Sequence, residues 1–276
     1  MRLGRIGYVN CYPVYGAMDR GIVAQPATLV TGTPNELNDR LADGRLEISV
    51  VSAVAYAQHA PALELLPDLA ISSDGPVRSV LLLSRRPVRE LGGARVLVSS
   101  SSRTSVELLQ ELARGCWGIE ITTVPARAES ADLAALRGTP HDALLVIGDA
   151  ALLLGARGEY PHVVDLGDAW KRWTGLPFVF AVWAARRDAD RAQVRQVHRA
   201  LLASRAWGLA NLPLLAAEAA RATDVDEGDC AEYLAGLDYG LGPRHLMGLN
   251  AFFKLLSDRG AIALPGNGQR ATGIGQ

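Results

Sequence analysis

Short apolar, β-prone runs repeatedly end at polar turns that open helices, and no other feature of this chain limits its folding as much. Residues 5–9 (Arg-Ile-Gly-Tyr-Val) meet Asn10-Cys11-Tyr12-Pro13, where proline removes a backbone donor, so a strand is expected to end at Asn10. A helix over 14–20 and a strand over 27–31 follow. Thr33-Pro34-Asn35-Glu36 then carries both capping-box residues and a proline at the first helical position. The helix it opens places Leu37 and Leu41 on one face and ends near Gly44, before a buried strand over 48–52. Such alternation predicts parallel βαβ units and an α/β protein.

The pattern restarts further on. A strand over 79–84 precedes Arg85-Arg86-Pro87, where the chain is expected to leave a first lobe. A strand over 94–98, a serine-rich loop over 99–102 and a helix over 104–114 come next, with Thr104 and Glu107 repeating the capping-box spacing. Residues 119–124 read as a strand and 126–140 as a polar stretch, and the strand over 143–147 meets Gly148-Asp149-Ala150, a strand-to-helix turn. The apolar, aromatic run over 176–183 suits a strand returning to the first lobe. Helices are predicted over 190–211, 212–222, 230–234 and 243–258, and the Gly-rich tail over 265–276 is expected to fray. Its Gly266-Asn267-Gly268 lacks the strand-turn-helix setting of a phosphate loop. A chain of 276 residues accommodates two lobes, placed at 1–84 with 178–276 and at 85–177, each a mainly parallel sheet flanked by helices, with a ligand cleft between them.

Charge narrows the partner. The 28 Lys and Arg residues balance 29 Asp and Glu, which argues against nucleic acid or a membrane surface and for a small molecule. Positive potential for an anion would then come from helix N-termini and single arginines. The opening MRLGRIGYVN has no signal-like apolar stretch, and no segment has membrane-spanning length, so a cytoplasmic location is expected. Cys11, Cys116 and Cys230, like His59, His141, His162, His198 and His245, are scattered without metal-ligand spacing, so no metal and no disulfide are predicted.

Three turns could carry chemistry: Asn10, the serine-rich group through Ser102, Arg103, Thr104 and Ser105, and Gly148 with Asp149. In an open α/β sheet, ligands bind beyond the carboxyl ends of the strands, so these turns should share one crevice, where free N–H groups and hydroxyls suit carboxylates. Ser102, Thr104 and Thr33 equally fit plain helix caps, and Asn10 a plain turn residue. Arg103 sharpens the anion reading, because a cation at a helix start opposes the macrodipole unless an anion or a solvated face accounts for it. Asp149 suits a cap, a base or a partner of an arginine, with the cap favoured. Trp170, Trp173 and Phe178 flank Thr174-Gly175 and suit either a core or the wall of a pocket.

These residues assemble into a resemblance along nearly the whole chain. It is carried by residues 5–15 (RIGYVNCYPVY), 74–79 (DGPVRS), 102–106 (SRTSV), 147–152 (IGDAAL) and 170–183 (WKRWTGLPFVFAVW). In this order the sequence resembles the chorismate dehydratase family of the futalosine route to menaquinone. It differs from the pathway's 1,4-dihydroxy-6-naphthoate synthase, which opens on a serine- and proline-rich motif. The resemblance implies a two-lobed, periplasmic-binding-protein-like (type II) fold and a carbon-oxygen lyase without cofactor that converts chorismate to 3-[(1-carboxyvinyl)oxy]benzoate and water. It places Asn10 and Ser79 at the reacting part of chorismate and has the Ser102 to Ser105 turn hold a carboxylate. Gly148, Asp149, Thr174 and Gly175 complete the wall. Neither Asn10 nor Ser79 titrates near neutrality, so the substrate's own enolpyruvyl carboxylate is the expected acceptor of the C3 proton, with Asp149 as the fallback base.

Two other classes share the architecture. A solute-binding protein captures its ligand by lobe closure without chemistry, and the absent export signal counts against it. A transcription-regulator effector domain would need a helix-turn-helix module, for which the strand at the start leaves no room.

Overall fold

The structure, a computed structural model, describes residues 1–99, 102–126 and 139–263. Strands β1 (Arg2–Ile6), β2 (Thr28–Gly32) and β3 (Ile48–Ser52) pair in parallel, and helices α1 (Tyr12–Asp19) and α2 (Pro34–Ala42) connect them as the alternation requires. The Thr33/Glu36 capping box closes α2. Two later strands complete the sheet, β4 (Leu63–Ser73), reached through α3 (Ala53–His59), and β10 (Phe178–Arg186), in the order β2-β1-β3-β10-β4.

The second sheet repeats this plan. Its strands are β5 (Val80–Ser84), β6 (Arg95–Ser99), β7 (Thr122–Ala126), β8 (Ala143–Ile147) and β9 (His162–Asp165), in the order β7-β6-β8-β5-β9. Helices α4 (Arg103–Glu111), α5 (Gly148–Arg157) and α6 (Leu166–Thr174) flank it. Each sheet holds a single reversed strand, β10 in the first and β5 in the second, and each is the strand by which the chain enters from the other lobe.

Strand β5 corrects the expected boundary at 84. It pairs with β8 and β9 in the second sheet, so the crossover spans residues 74–79 and precedes the strand. Every residue of β5 is buried, and a strand without a polar face carries no local mark of the sheet it joins. The eleven-residue β4 had no counterpart in the sequence reading. Pro67 interrupts it, Asp68 has a left-handed φ of 57°, and its register against β10 shifts twice. Such a bulged strand hides its alternation. Residues 127–138 of the expected polar stretch, and the tail over 265–276 with Gly266-Asn267-Gly268, lie outside the described residues.

The remaining helices, α7 (Arg191–Ala210), α8 (Leu212–Thr223), α9 (Glu227–Gly236) and α10 (Pro243–Asp258), pack mainly on the first lobe. Trp170 anchors an aromatic core, edge-on to Phe178 at 5.2 Å and Phe252 at 5.9 Å. Gly248 lets α10 lie against the return crossover, since a Cβ there would stand 2.0 Å from the Pro177 carbonyl oxygen.

Candidate active site

Loops from both sheets border one half-open cavity of about 70 Å³, lined by Ile6, Tyr8, Asn10, Pro34, Ser52, Ile71, Val77, Ser79, Val80, Ser102, Thr104, Ser105, Ile147, Gly148, Phe180 and Ala181. None of these lining residues is Lys, Arg, His, Asp or Glu. Helix starts take the place of basic side chains: α2 reaches the cavity through Pro34, α4 through Ser102, Thr104 and Ser105, and α5 through Gly148. Each helix N-terminus carries roughly half a positive charge; capping and turn bonds already take the Glu36, Ser105 and Gly148 N–H groups, and the rest of each first turn has no intrahelical acceptor. An apolar-walled space with that potential is suited to a small organic polyanion. It is narrower than the roughly 150 Å³ of a cavity that admits benzene, so the lobes must part to admit a ring.

A larger groove of about 520 Å³ on the first lobe is lined by Arg5, Tyr12, Arg20 and Glu218 among others. Its arginines are already neutralised, Arg5 by Asp19 at 2.7 Å and Arg20 by Glu218. The cavity between the lobes, where three helix starts converge and none of the described lining residues is charged, is the better anion site.

Of the expected residues, Asn10, Ser79, Ser102, Thr104, Ser105 and Gly148 share this space. Asn10 stands in a single 3-10 turn, Val9–Cys11, beyond the end of β1 and not on the strand itself. Ser102 caps α4, its hydroxyl accepting the Ser105 N–H at 3.2 Å. The helix therefore starts earlier than the Thr104/Glu107 spacing implied, and the Thr104 hydroxyl accepts the Val54 N–H of the opposite lobe at 3.0 Å. Arg103 turns away from the cavity and donates to Asp39 at 2.8 Å, which is the anion its position called for. Thr174 and Gly175 do not wall the cavity. The Thr174 hydroxyl donates to the Trp170 carbonyl and accepts the Leu176 N–H, while Gly175 ends α6 with a left-handed φ of 73°. Trp170 lies wholly in the core.

Asp149 stands just outside the lining and ties the lobes together, its carboxylate accepting the Val9 N–H at 3.2 Å. Burial pushes its carboxyl from 3.8 up to about 6, opposed by that N–H bond. A pKa raised in the folded state means the fold favours the proton, so stability falls as pH rises from about 4 to about 6 and stays reduced above. The penalty is of the order of 2–3 kcal/mol. Asp149→Asn should therefore raise the melting temperature above pH 6, with the gain vanishing below about pH 4. Melting curves across that range check this, and a gap independent of pH would contradict the assigned burial.

Sequence reasoning missed two further residues. Asp165 at the head of α6 accepts the N–H groups of Val77, Arg78, Gly167 and Asp168, and so fixes the turn that delivers Ser79. Tyr233 of α9 brings a buried hydroxyl beside the Asn10 and Ser79 side chains. Both act across more than 80 residues of chain; Asp165 could have been found only as the N-cap of α6, and no local pattern marks Tyr233.

Residues 1–258 match the family described as menaquinone biosynthesis. The chain belongs to that family. Among relatives of this menaquinone biosynthesis enzyme, a chorismate dehydratase of Thermus thermophilus is 34% identical over 269 residues, covering 92% of this chain and 94% of that one. A 1,4-dihydroxy-6-naphthoate synthase of the same organism is 30% identical over 224 residues, covering 76% and 75%. The crystal structure of an Archaeoglobus fulgidus protein superposes with a TM-score of 0.80 at 19% identity, covering 95% of this chain and 98% of that one. The periplasmic aliphatic sulphonate binding protein of Escherichia coli superposes at 0.67 with 14% identity, covering 95% and 88%. The menaquinone biosynthesis enzyme thus has the periplasmic-binding-protein-like fold, with two mixed sheets forming two lobes.

Proposed function

We propose that this enzyme removes water from chorismate to give 3-[(1-carboxyvinyl)oxy]benzoate. The observation that carries the reading is a cavity between the lobes that brings Asn10 and Ser79 together with three helix N-termini, with no charged side chain among its described lining residues. Chorismate brings two carboxylates, and its conversion needs charge stabilised on one of them. Breaking the C3–H bond sends its electron pair through the conjugated ring into the ring carboxylate. Breaking the C4–O bond then yields the benzene ring, and the departing oxygen leaves as water with the proton taken from C3. The start of α4 holds the ring carboxylate as its charge grows, an electrostatic contribution of the oxyanion-hole kind. Asn10 and Ser79 orient the C4 hydroxyl and the enolpyruvyl group.

The enolpyruvyl carboxylate acts as the base, in keeping with described lining residues that include no carboxylate and no imidazole. Asp149→Asn should then keep kcat within about threefold, whereas loss of a true general base lowers rates about 10²- to 10⁴-fold. Incubation with chorismate, followed by ultraviolet absorbance and mass analysis, should show a new aromatic product lighter by one water. Chorismate recovered unchanged would contradict the proposal and leave a capture protein.

Closure explains a second expectation. Gly148 has a φ of 61°, and a Cβ there would stand 2.9 Å from the Tyr8 ring of the facing lobe. Gly148→Ala combines a left-handed backbone penalty of about 1 kcal/mol with that clash, and should lower kcat/KM for chorismate at least about tenfold. Steady-state kinetics check this, and an unchanged kcat/KM would show that the lobes need not approach this closely.

A further inference from the structure

We infer that Tyr233 is a positioning residue for this cavity: its hydroxyl fixes the direction in which Asn10 and Ser79 present their side chains to the bound molecule. The inference rests on the proposed dehydratase reading. Asp226 caps α9 by accepting the Gly228 N–H at 2.8 Å, and the helix carries Tyr233 into the first lobe with 1% of its surface exposed. The segment after α9 is fastened to β4: Ser72 N–H donates to Asp238 at 3.0 Å, Asp238 N–H donates back to Ser72 at 2.8 Å, and Ala70 N–H donates to Tyr239 at 3.2 Å. One residue before each partner, Glu232 is ion-paired with Arg78. Tyr233 and Ser79 therefore meet between two segments, one bonded to β4 and the other joined to it by an exposed ion pair.

The polar atoms here are matched but not yet paired. The Tyr233 hydroxyl lies beside the side chains of Ser79 and Asn10. Neither it nor the Asn10 Oδ1 atom completes a hydrogen bond of ordinary geometry, although both are fully buried. A buried polar atom left unpaired destabilises the fold, and a phenylalanine ring would fill the same space without that penalty. Packing therefore needs the ring but not the oxygen. Oδ1 only accepts, while the phenol has one donor and can accept in return. A small rotation pairs the phenol with Oδ1, turns the two Asn10 N–H donors toward the ligand, and leaves the phenol oxygen to receive the Ser79 hydroxyl. Burial pushes the phenol well above its usual range, so it keeps the proton it must donate.

Tyr233→Phe tests this directly, with Tyr239→Phe as its control, because Tyr239 is a second buried and unpaired phenol in the same region. In Tyr233→Phe the melting temperature should hold or rise. Its kcat on chorismate should fall about tenfold with KM within about twofold, as expected for losing one hydrogen bond that acts in the transition state. In an Asn10→Ala background the same change should remove less than about twofold more, since the two act as one unit. Tyr239→Phe should keep kcat within about twofold. The proposal is overturned if Tyr233→Phe keeps the wild-type kcat, if its loss multiplies in full with that of Asn10→Ala, if Tyr239→Phe loses as much, or if Tyr233→Phe fails to fold. A wild-type enzyme inactive on chorismate would overturn the dehydratase reading and this inference with it, and is told apart because no variant is then involved.

Discussion

Asn10→Ala is expected to lower kcat on chorismate by about 10²- to 10³-fold, the range found when a preorganised donor is removed from a site of developing charge. The residue stands at the turn between β1 and α1, where the short Val9–Cys11 turn aims it into the cavity. Its amide supplies two donors and an acceptor, and none of the described lining residues is a lysine, arginine or histidine that could stand in for it. The helix N-termini proposed to bind the carboxylates are untouched, so KM should change less than about tenfold. Steady-state kinetics with a melting curve separate this from unfolding. An Asn10→Ala enzyme within about fivefold of the wild-type kcat would remove Asn10 from the chemistry.

Asp165→Ala should be the most destabilising of these substitutions. The side chain is an acceptor for four backbone N–H groups on two segments, with distances from 2.6 Å to Arg78 up to 3.1 Å to Asp168. Arg78 holds a left-handed φ of 59°, a conformation that costs a non-glycine residue about 1 kcal/mol or more. Without the carboxylate the N–H groups of 77 and 78 lose their partner, the strained turn has nothing to hold it, and α6 loses its cap. A loss of about 3–5 kcal/mol is expected, which for a chain of this size lowers the melting temperature by roughly 10 °C. Activity should fall as well, because Ser79 follows this turn directly. Asp165→Asn keeps one accepting oxygen and should lie between the two. A melting temperature for Asp165→Ala within a few degrees of wild type would show that the turn holds itself.

What was legible in the sequence was what short-range chemistry decides. The Thr33/Glu36 box, the strand Ala143–Ile147 and the helices Arg191–Ala210 and Pro243–Asp258 stand where capping, proline placement and apolar periodicity put them. Placement between lobes was less legible. Val80–Ser84 was rightly a strand but sits in the second sheet, because a strand buried on both faces does not reveal its neighbours. Leu63–Ser73 escaped notice because Pro67 and the left-handed Asp68 break its alternation. Within the site, the turns at Asn10, Ser102 and Gly148 were found because they end strands. The role expected of Arg103 failed because its counter-ion, Asp39, comes from a helix 64 residues away in the chain. Tyr233 was invisible for the same reason, and of Asp165 only its cap on α6 had a local signal: each works on a turn distant in sequence and close only once both crossovers have formed.

A crystal structure with 3-[(1-carboxyvinyl)oxy]benzoate bound tests the central claim most directly. The account expects the ring between the lobes, one carboxylate within hydrogen-bonding reach of the N–H groups that open α4, and Asn10 and Ser79 against the ether and the vacated C4 edge. The product resting instead in the Arg5 and Arg20 groove, or with its carboxylates turned away from the helix N-termini, would contradict it.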